Sequence, residues 1–211
     1  MCDILNVAVI GAGNWGAQHA HVFTTLPNTR LVAVCDRDAA RAHALASAHG
    51  VEHVYTNHRE MFAQETIDAV GIATPDATHT PLILDALSAG KHVLSEKPLA
   101  TTLAEVEQIE RAVNQSPCIL MVDFHNRVSP VISAAREQIA EGAIGRPVHA
   151  SARLSNTTFV PLEMLPWAAE SSALWFLGSH AVDALRFILQ DEVTRVFAMQ
   201  AKGSLAAKGV D

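Results

Sequence analysis

The chain has 211 residues, 49% of them hydrophobic and 18% charged, with a formal charge of −7 at pH 7. That hydrophobic share is enough to bury a core, which excludes a chain that is disordered as a whole. The negative balance, with no Lys/Arg cluster longer than two, sets aside a nucleic-acid binder, whose footprint is a basic face.

No apolar run approaches the roughly 18 residues of a membrane span. The N-terminal residues Met1 to Asn6 lack the basic and apolar regions of a secretory leader. The three cysteines, Cys2, Cys35 and Cys118, are far apart and form no C-x-x-C. Reduced thiols and a cytoplasmic location are therefore expected.

Short apolar runs alternate with helical stretches over residues 4 to 124. Val7–Ile10, Leu31–Cys35, Ile67–Ala73, Lys91–Ser95 and Cys118–Phe124 are the runs, with a weaker one at Val54–Tyr55. Continuous apolar runs suit strands buried on both faces. Between them, Asp38 caps an alanine-rich helix ending at Gly50. Pro81 opens a helix ending at Gly90. Thr102 and Glu105 have the spacing of a capping box. The alternation predicts an α/β fold with a doubly wound parallel sheet.

The grammar changes near residue 123, which predicts two domains, 1–122 and 123–211. Ser129-Pro130 opens a helix to about Glu141, and Gly142 to Pro147 is a turn. Val148–Leu154 and Val193–Ala198 read as strands. A stretch with Pro and Trp runs from Asn156 to Glu170, and a helix follows from about Ala173 to Leu189. Gly203 to Asp211 contain no obvious closing element. The second domain is thus expected to be an incomplete α+β unit.

Gly11-Ala12-Gly13-Asn14-Trp15-Gly16 fits G-x-G-x-x-G, directly after an apolar run and at the start of a helix. The first glycine permits a tight turn, the second lets the backbone approach a pyrophosphate, and the third lets helix and strand pack closely. A helix N-terminus then offers N–H groups and a positive dipole end to phosphates. Asp36 stands 20 residues after Gly16, where an acid holds the adenosine ribose hydroxyls. It favours NAD, whereas its neighbour Arg37 is able to pair with the 2′-phosphate of NADP. Ser95-Glu96-Lys97-Pro98 follows the Lys91–Ser95 run, at the strand edge where open α/β sheets bind ligands. A lysine there can reach a nicotinamide or a substrate hydroxyl, and the proline fixes the turn, with a cis bond as one option.

With these motifs the sequence resembles the Gfo/Idh/MocA oxidoreductases. The matches are Val9-Ile10-Gly11-Ala12-Gly13, Ile72-Ala73-Thr74-Pro75 with His79, Glu96-Lys97-Pro98, Phe124 with Arg127 and Pro130, Gly142 to Gly145, and Leu177-Gly178-Ser179-His180 with Asp183. The resemblance implies a nicotinamide-dependent dehydrogenase or reductase acting on a sugar, polyol or related hydroxy compound. It assigns Lys97 to substrate and nicotinamide contact and His180 to proton transfer at the reacting oxygen. Imidazole suits that role, with an ordinary pKa of about 6.5. Thr74, Pro75, His79 and Glu96 join the glycine loop, Asp36, Arg37 and Lys97 in the implied cofactor set. A homo-oligomer is implied as well.

Two departures keep a rival open. Many family members carry Asp four residues before the catalytic His, and this chain has Phe176 there; the chain is also shorter than the family pattern. The rival is a nucleotide-binding relative without turnover. No metal site is expected. His19 and His21 are two apart on a helix and face different ways, and His49, His53 and His58 lack ligand spacing, so surface histidines are the reading. Trp15 is placed beneath the cofactor; Trp167 and Trp175 flank the expected substrate mouth, with packing on a sugar face and core or interface packing as equal alternatives. No G-x-S-x-G elbow surrounds Ser179, which argues against a hydrolase.

Overall fold

A computed structural model describes residues 4–200 together with Gly203, Leu205, Ala206 and Gly209. Met1, Cys2, Asp3 and the other tail positions, read above for a leader and a closing element, lie outside the described residues. The chain divides into two compact units, Met1–Asp123 and Phe124–Asp211.

The first unit holds six parallel strands: β1 (Leu5–Ile10), β2 (Thr29–Cys35), β3 (His53–Tyr55), β4 (Ala69–Ile72), β5 (His92–Ser95) and β6 (Leu120–Val122), in the order β3-β2-β1-β4-β5-β6. Successive residues of β1 bury on opposite faces. Val7 and Val9 join Ala20 of α1 (Asn14–Thr25) and Ala42, Leu45 and Ala46 of α2 (Ala39–Ala48). Ala8 and Ile10 join Met61 of α3 (His58–Gln64), Ile83 and Leu87 of α4 (His79–Ser88) and Ile109 of α5 (Leu103–Gln115). Helices thus cover both faces, which is why the strands read as unbroken apolar runs.

The starts of α2 and α5 follow from side chains that occupy orphan N–H groups. Asp38 accepts from the backbone N–H of Ala40 at 2.9 Å and of Arg41 at 3.2 Å. Thr102 Oγ1 accepts from Glu105 N–H at 3.3 Å, while Glu105 Oε2 accepts from Thr101 N–H at 3.2 Å. α4 starts at His79, after a 3₁₀ turn over Asp76–Thr78, two residues before the Pro81 expected to open it. A first-turn proline costs no helical bond, because those N–H groups have no partner inside the helix. α3 was not anticipated. Its seven residues are too few to display a period, and the side chain of Asn57 caps it.

Register brings the strand ends level. Ile10 pairs with Cys35 and Ile72, Ile72 with Ser95, and Ser95 with Val122. Gly11, Asp36, Ala73, Glu96 and Asp123 therefore leave the sheet side by side at its carboxyl edge. The strand order reverses between β1 and β4, and there the edge opens into the crevice used for ligands.

The second unit contains α6 (Pro130–Ala140) and α7 (Ser179–Leu189), with short helical turns at His125–Val128, Val160–Met164, Ala168–Glu170 and Leu174–Gly178. Arg136 of α6 lies 4.5 Å from the ring centroid of Phe187 of α7. Neither expected strand forms. Residues 148–154 and 193–198 have no ladder partner among the described residues. Alternating apolar residues make a strand only when a neighbour takes up the backbone groups. Val148 is 96% exposed and Phe197 87%.

Ile83 is fully buried between α4 and the sheet. Ile83→Ala is expected to destabilise the first unit by about 2–5 kcal/mol through lost burial and a residual cavity. A lowered urea midpoint with unchanged far-UV circular dichroism in buffer would show it.

Candidate cofactor and active site

The glycine loop is built from three different constraints. Gly11 has φ of +100°, and an added Cβ would meet the Ala73 carbonyl oxygen at 2.2 Å. At Gly16 a Cβ would lie 1.7 Å from the Gly11 carbonyl oxygen, so that helix and turn touch through backbone alone. At Gly13 a Cβ would meet nothing within 4 Å. Gly13 is instead the N-cap of α1, with no capping side chain and no acid in the first turn. An open backbone at the positive end of a helix is the cradle an anionic pyrophosphate fits. Asn14 and Trp15 are exposed on that first turn.

Asp36 follows β2. Its Oδ2 accepts from Ala12 N–H at 2.7 Å and its Oδ1 from Asp38 N–H at 2.8 Å. The carboxylate is thereby fixed against the glycine loop, and each oxygen keeps a lone pair able to accept a ribose hydroxyl. Arg37 beside it is exposed. Cys35, just before it, is buried, and burial first, then the charge of Asp36, pushes its thiol up to about 12.

The next two strand ends carry the Thr74-Pro75 and Glu96-Lys97-Pro98 turns, and the Lys97–Pro98 peptide bond is cis. His79 ties them together. Its Nδ1 lies 2.7 Å from the Pro98 carbonyl oxygen and its Nε2 2.8 Å from that of Thr74. The ring is 0% exposed. His79 was expected among the cofactor contacts; each of its ring nitrogens lies within hydrogen-bond distance of a backbone carbonyl, one in each turn. Thr74 Oγ1 accepts from Thr78 Oγ1 at 2.8 Å.

Lys97 is buried. Burial pulls its ammonium below the usual lysine range, and the carboxylates of Asp76 and Glu96 pull the other way. Glu96 and Asp76 are buried too. His19, expected as a surface residue, lies in the same region, buried on α1. Its Nε2 is 3.2 Å from Glu96 Oε1 and 3.5 Å from Asp123 Oδ2. These three donor groups lie within 4.8 Å of one another. A metal-bound histidine ordinarily donates its other ring N–H to an acceptor. Among the described residues His19 Nδ1 has no such partner, while Nε2 is within hydrogen-bond distance of Glu96 Oε1.

In the second unit His180 is the second residue of α7. Its Nδ1 is 3.4 Å from Asn126 Nδ2, and its ring meets those of His125 and Phe124 edge-on at 5.1 and 6.2 Å. Asp183, one turn on, is buried and held by Arg127, whose Nε donates to Oδ2 at 3.0 Å. Arg127 also lies 5.4 Å from the Phe124 ring centroid. Phe176 meets Trp167 edge-on at 6.0 Å. Both line a cavity of about 190 Å³ with Val160, Leu165 and Leu205. Glu170 and Trp175 are exposed.

The structure thus brings the glycine loop, Asp36, Thr74, Pro75, Glu96 and Lys97 to one edge of the first unit, and His180 belongs to the second. Sequence reasoning missed His19, Asp76, Asp123 and Asn126. For His19 a signal existed: it stands three residues after Gly16 and four before Phe23, at helical spacing from both, on one face of α1.

Comparison with known proteins gives three further findings. Residues 5–124 match the model for the oxidoreductase family with NAD-binding Rossmann fold, and residues 132–211 match the GFO/IDH/MocA C-terminal domain. The chain is 33% identical to an inositol 2-dehydrogenase of Rubrobacter xylanophilus over 90% of its own length and 54% of the relative's. It is 32% identical to a D-apiose dehydrogenase of Paraburkholderia graminis over 97% and 54% of the two chains. The chain thus spans about half the length of these curated relatives. Among solved structures it is similar to an Agrobacterium radiobacter oxidoreductase in complex with NAD+, L-tartaric acid and magnesium. The TM-score is 0.80 and the identity 29%, over 89% of this chain and 55% of that one. Among the described residues no helix is long and apolar enough to cross a membrane.

The glycine geometry separates folding from binding. Gly13→Ala is expected to change stability by no more than about 1 kcal/mol, the scale of an N-cap exchange, yet to weaken NADH binding at least tenfold. Gly16→Ala is expected to lower the melting temperature sharply, since backbone must move. Thermal melting and NADH fluorescence titration of the two variants check both statements.

Proposed function

The chain belongs to the Gfo/Idh/MocA oxidoreductase family, and on that premise we propose that it is part or all of an NAD-dependent dehydrogenase or reductase acting on a carbinol carbon of a sugar, polyol or related hydroxy compound. The observation that carries this reading is the shared sheet edge. The open cradle at Gly13, the carboxylate of Asp36 and the buried amine of Lys97 all leave the sheet at the same level. The relatives' names, inositol 2-dehydrogenase and D-apiose dehydrogenase, support the substrate class.

The first unit is the family's NAD-binding Rossmann domain. Its residues fit the dinucleotide. The backbone from Gly11 to Gly16 would hold the pyrophosphate, Asp36 would hold the ribose hydroxyls and favour NAD over NADP, and Thr74, Pro75 and Lys97 would face the nicotinamide end. When bound, the nicotinamide supplies the hydride acceptor or donor.

The chain's own residues handle binding and protons. Lys97 Nζ, charged in a partly desolvated place, hydrogen-bonds the reacting oxygen and stabilises negative charge on it. His180 takes or returns the hydroxyl proton on its imidazole. The second unit contributes this histidine and part of the substrate surface, with Trp167 and Phe176 offering apolar faces to a sugar ring. The partners are a small-molecule substrate and, as a further reading, a second copy of the chain; neither a nucleic acid nor a membrane is among them. A cytoplasmic site of action goes with the reduced thiols read from the sequence.

One observation favours a cofactor-binding relative without turnover. Phe176 occupies an apolar cavity, and Asp183 is already paired with Arg127, so neither position supplies a free carboxylate to orient His180.

Two measurements decide. NADH at 100 times its Kd is expected to stabilise the protein by about 2.7 kcal/mol, with NADPH weaker; a stronger NADPH response would move the assignment from Asp36 to Arg37. In a screen of sugars and polyols, Lys97→Ala is expected to lose about 10²–10³-fold in kcat, with NADH binding largely kept. No turnover by the parent chain on any of them would favour the non-catalytic reading.

A further inference from the structure

His19 lies on α1, the helix whose first turn is the glycine loop. Its imidazole reaches two other strand ends. Glu96, 3.2 Å from Nε2, follows β5 and directly precedes Lys97. Asp123, 3.5 Å from the same nitrogen, follows β6. On the opposite side Nδ1 faces Gly71 of β4, where an added Cβ would come within 2.8 Å of it. Phe23, one turn along α1, closes the space with its ring edge-on, 6.0 Å between centroids. The imidazole is therefore fixed by its own helix and by three neighbouring strands.

We infer that His19 is a positioning residue for Lys97: it bridges the Glu96 and Asp123 carboxylates and so holds the lysine-bearing turn at a set distance from the phosphate-binding helix. This rests on the function proposed above. Neither ligand contact nor direct chemistry is assigned to His19.

The charges make the bridge directional. Two neighbouring carboxylates, Glu96 buried and Asp123 partly so, repel, and one imidazolium beside both reduces that repulsion. Burial pulls His19 down, but its bonds to Asp123 and Glu96, and then their charges, outweigh it, raising the ring from 6.5 to about 9. The groups facing this region are Glu96, Asp123, Asp76 and Lys97. Glu96 acts on Lys97 as well as on His19. Taking away the His19 charge leaves the Glu96 carboxylate, with Asp76, to act on the Lys97 ammonium without a competing cation on Glu96. The amine then titrates at higher pH.

The sign of the stability effect follows. The folded value lies above the unfolded one, so the bridge stabilises in full below pH 6.5 and its contribution is lost as pH rises through about 9.

The test uses the complete chain without added cofactor, as parent, His19→Gln and Asp123→Asn. Melting temperature is followed from pH 6 to 10, and the Lys97 ¹³Cε resonance, assigned with Lys97→Arg, is titrated by NMR. In the parent the melting temperature is expected to step down between pH 6.5 and 9.5. The step should vanish in His19→Gln and move to lower pH in Asp123→Asn, and the Lys97 titration should move up in His19→Gln.

An unchanged step, or a Lys97 titration that does not move in a folded His19→Gln protein, overturns the inference. If His19→Gln does not fold, the Asp123→Asn shift decides alone. Stabilisation of the parent by Zn²⁺, reversed by EDTA, also overturns it, because a cation rather than a proton would then occupy the bridge. Failure of the parent to bind NADH at any pH strikes the proposed function instead, and the melting and NMR curves still decide on His19.

Discussion

The close approach of backbone to backbone at Gly11 sets the geometry of the whole ligand edge. Its positive φ turns the chain immediately at the end of β1, and its carbonyl oxygen rests where a side chain on Gly16 would be. Only then can α1 start next to β1 and lie across β4, with its N-terminal turn over the point where the strand order reverses. The Asp36 carboxylate locks the same turn from the β2 side by accepting from Ala12 N–H. A bulkier residue at either glycine would move the helix, and with it the phosphate cradle and His19.

Polar groups at this edge are fixed by one another and not by solvent. His79 spans the Thr74 and Pro98 carbonyls, and His19 spans two carboxylates. Buried hydrogen bonds of this kind lose more when one partner is removed than they contribute as a pair, because the remaining group stays desolvated. The turns flanking the site are therefore rigid for a specific reason. Each is tied to a group distant in sequence.

Much of this was legible in the sequence. The three glycines each answer a local demand, and a local demand leaves a local pattern. The apolar runs gave the strands because burial on both faces removes alternation. Asp38, Thr102 and Glu105 announced their helices through capping, which involves neighbours only. The contact between His19 and Glu96, by contrast, joins residues 77 positions apart. No short-range pattern encodes it, and with the ring hidden beneath an otherwise ordinary helix, the residue read as one more histidine among eleven. The misread strands at residues 148–154 and 193–198 failed for the complementary reason. Alternation records which side chains are willing to form a sheet, and says nothing of whether a neighbour is at hand to complete it.

The burial of Cys35 bears on the chemical durability of the ligand edge. A thiol reacts through its thiolate, and this one is shielded under the sheet, with Asp36 opposing its ionisation. Of the two described thiols, the one beside the glycine loop is therefore expected to react more slowly with alkylating reagents. Cys118 is the more accessible of the two described thiols, ahead of β6 and away from the glycine loop in the sheet order. Between them the two described sulfurs give the first unit a shielded position beside the glycine loop and a usable handle for attaching a reporter at the far side of the sheet.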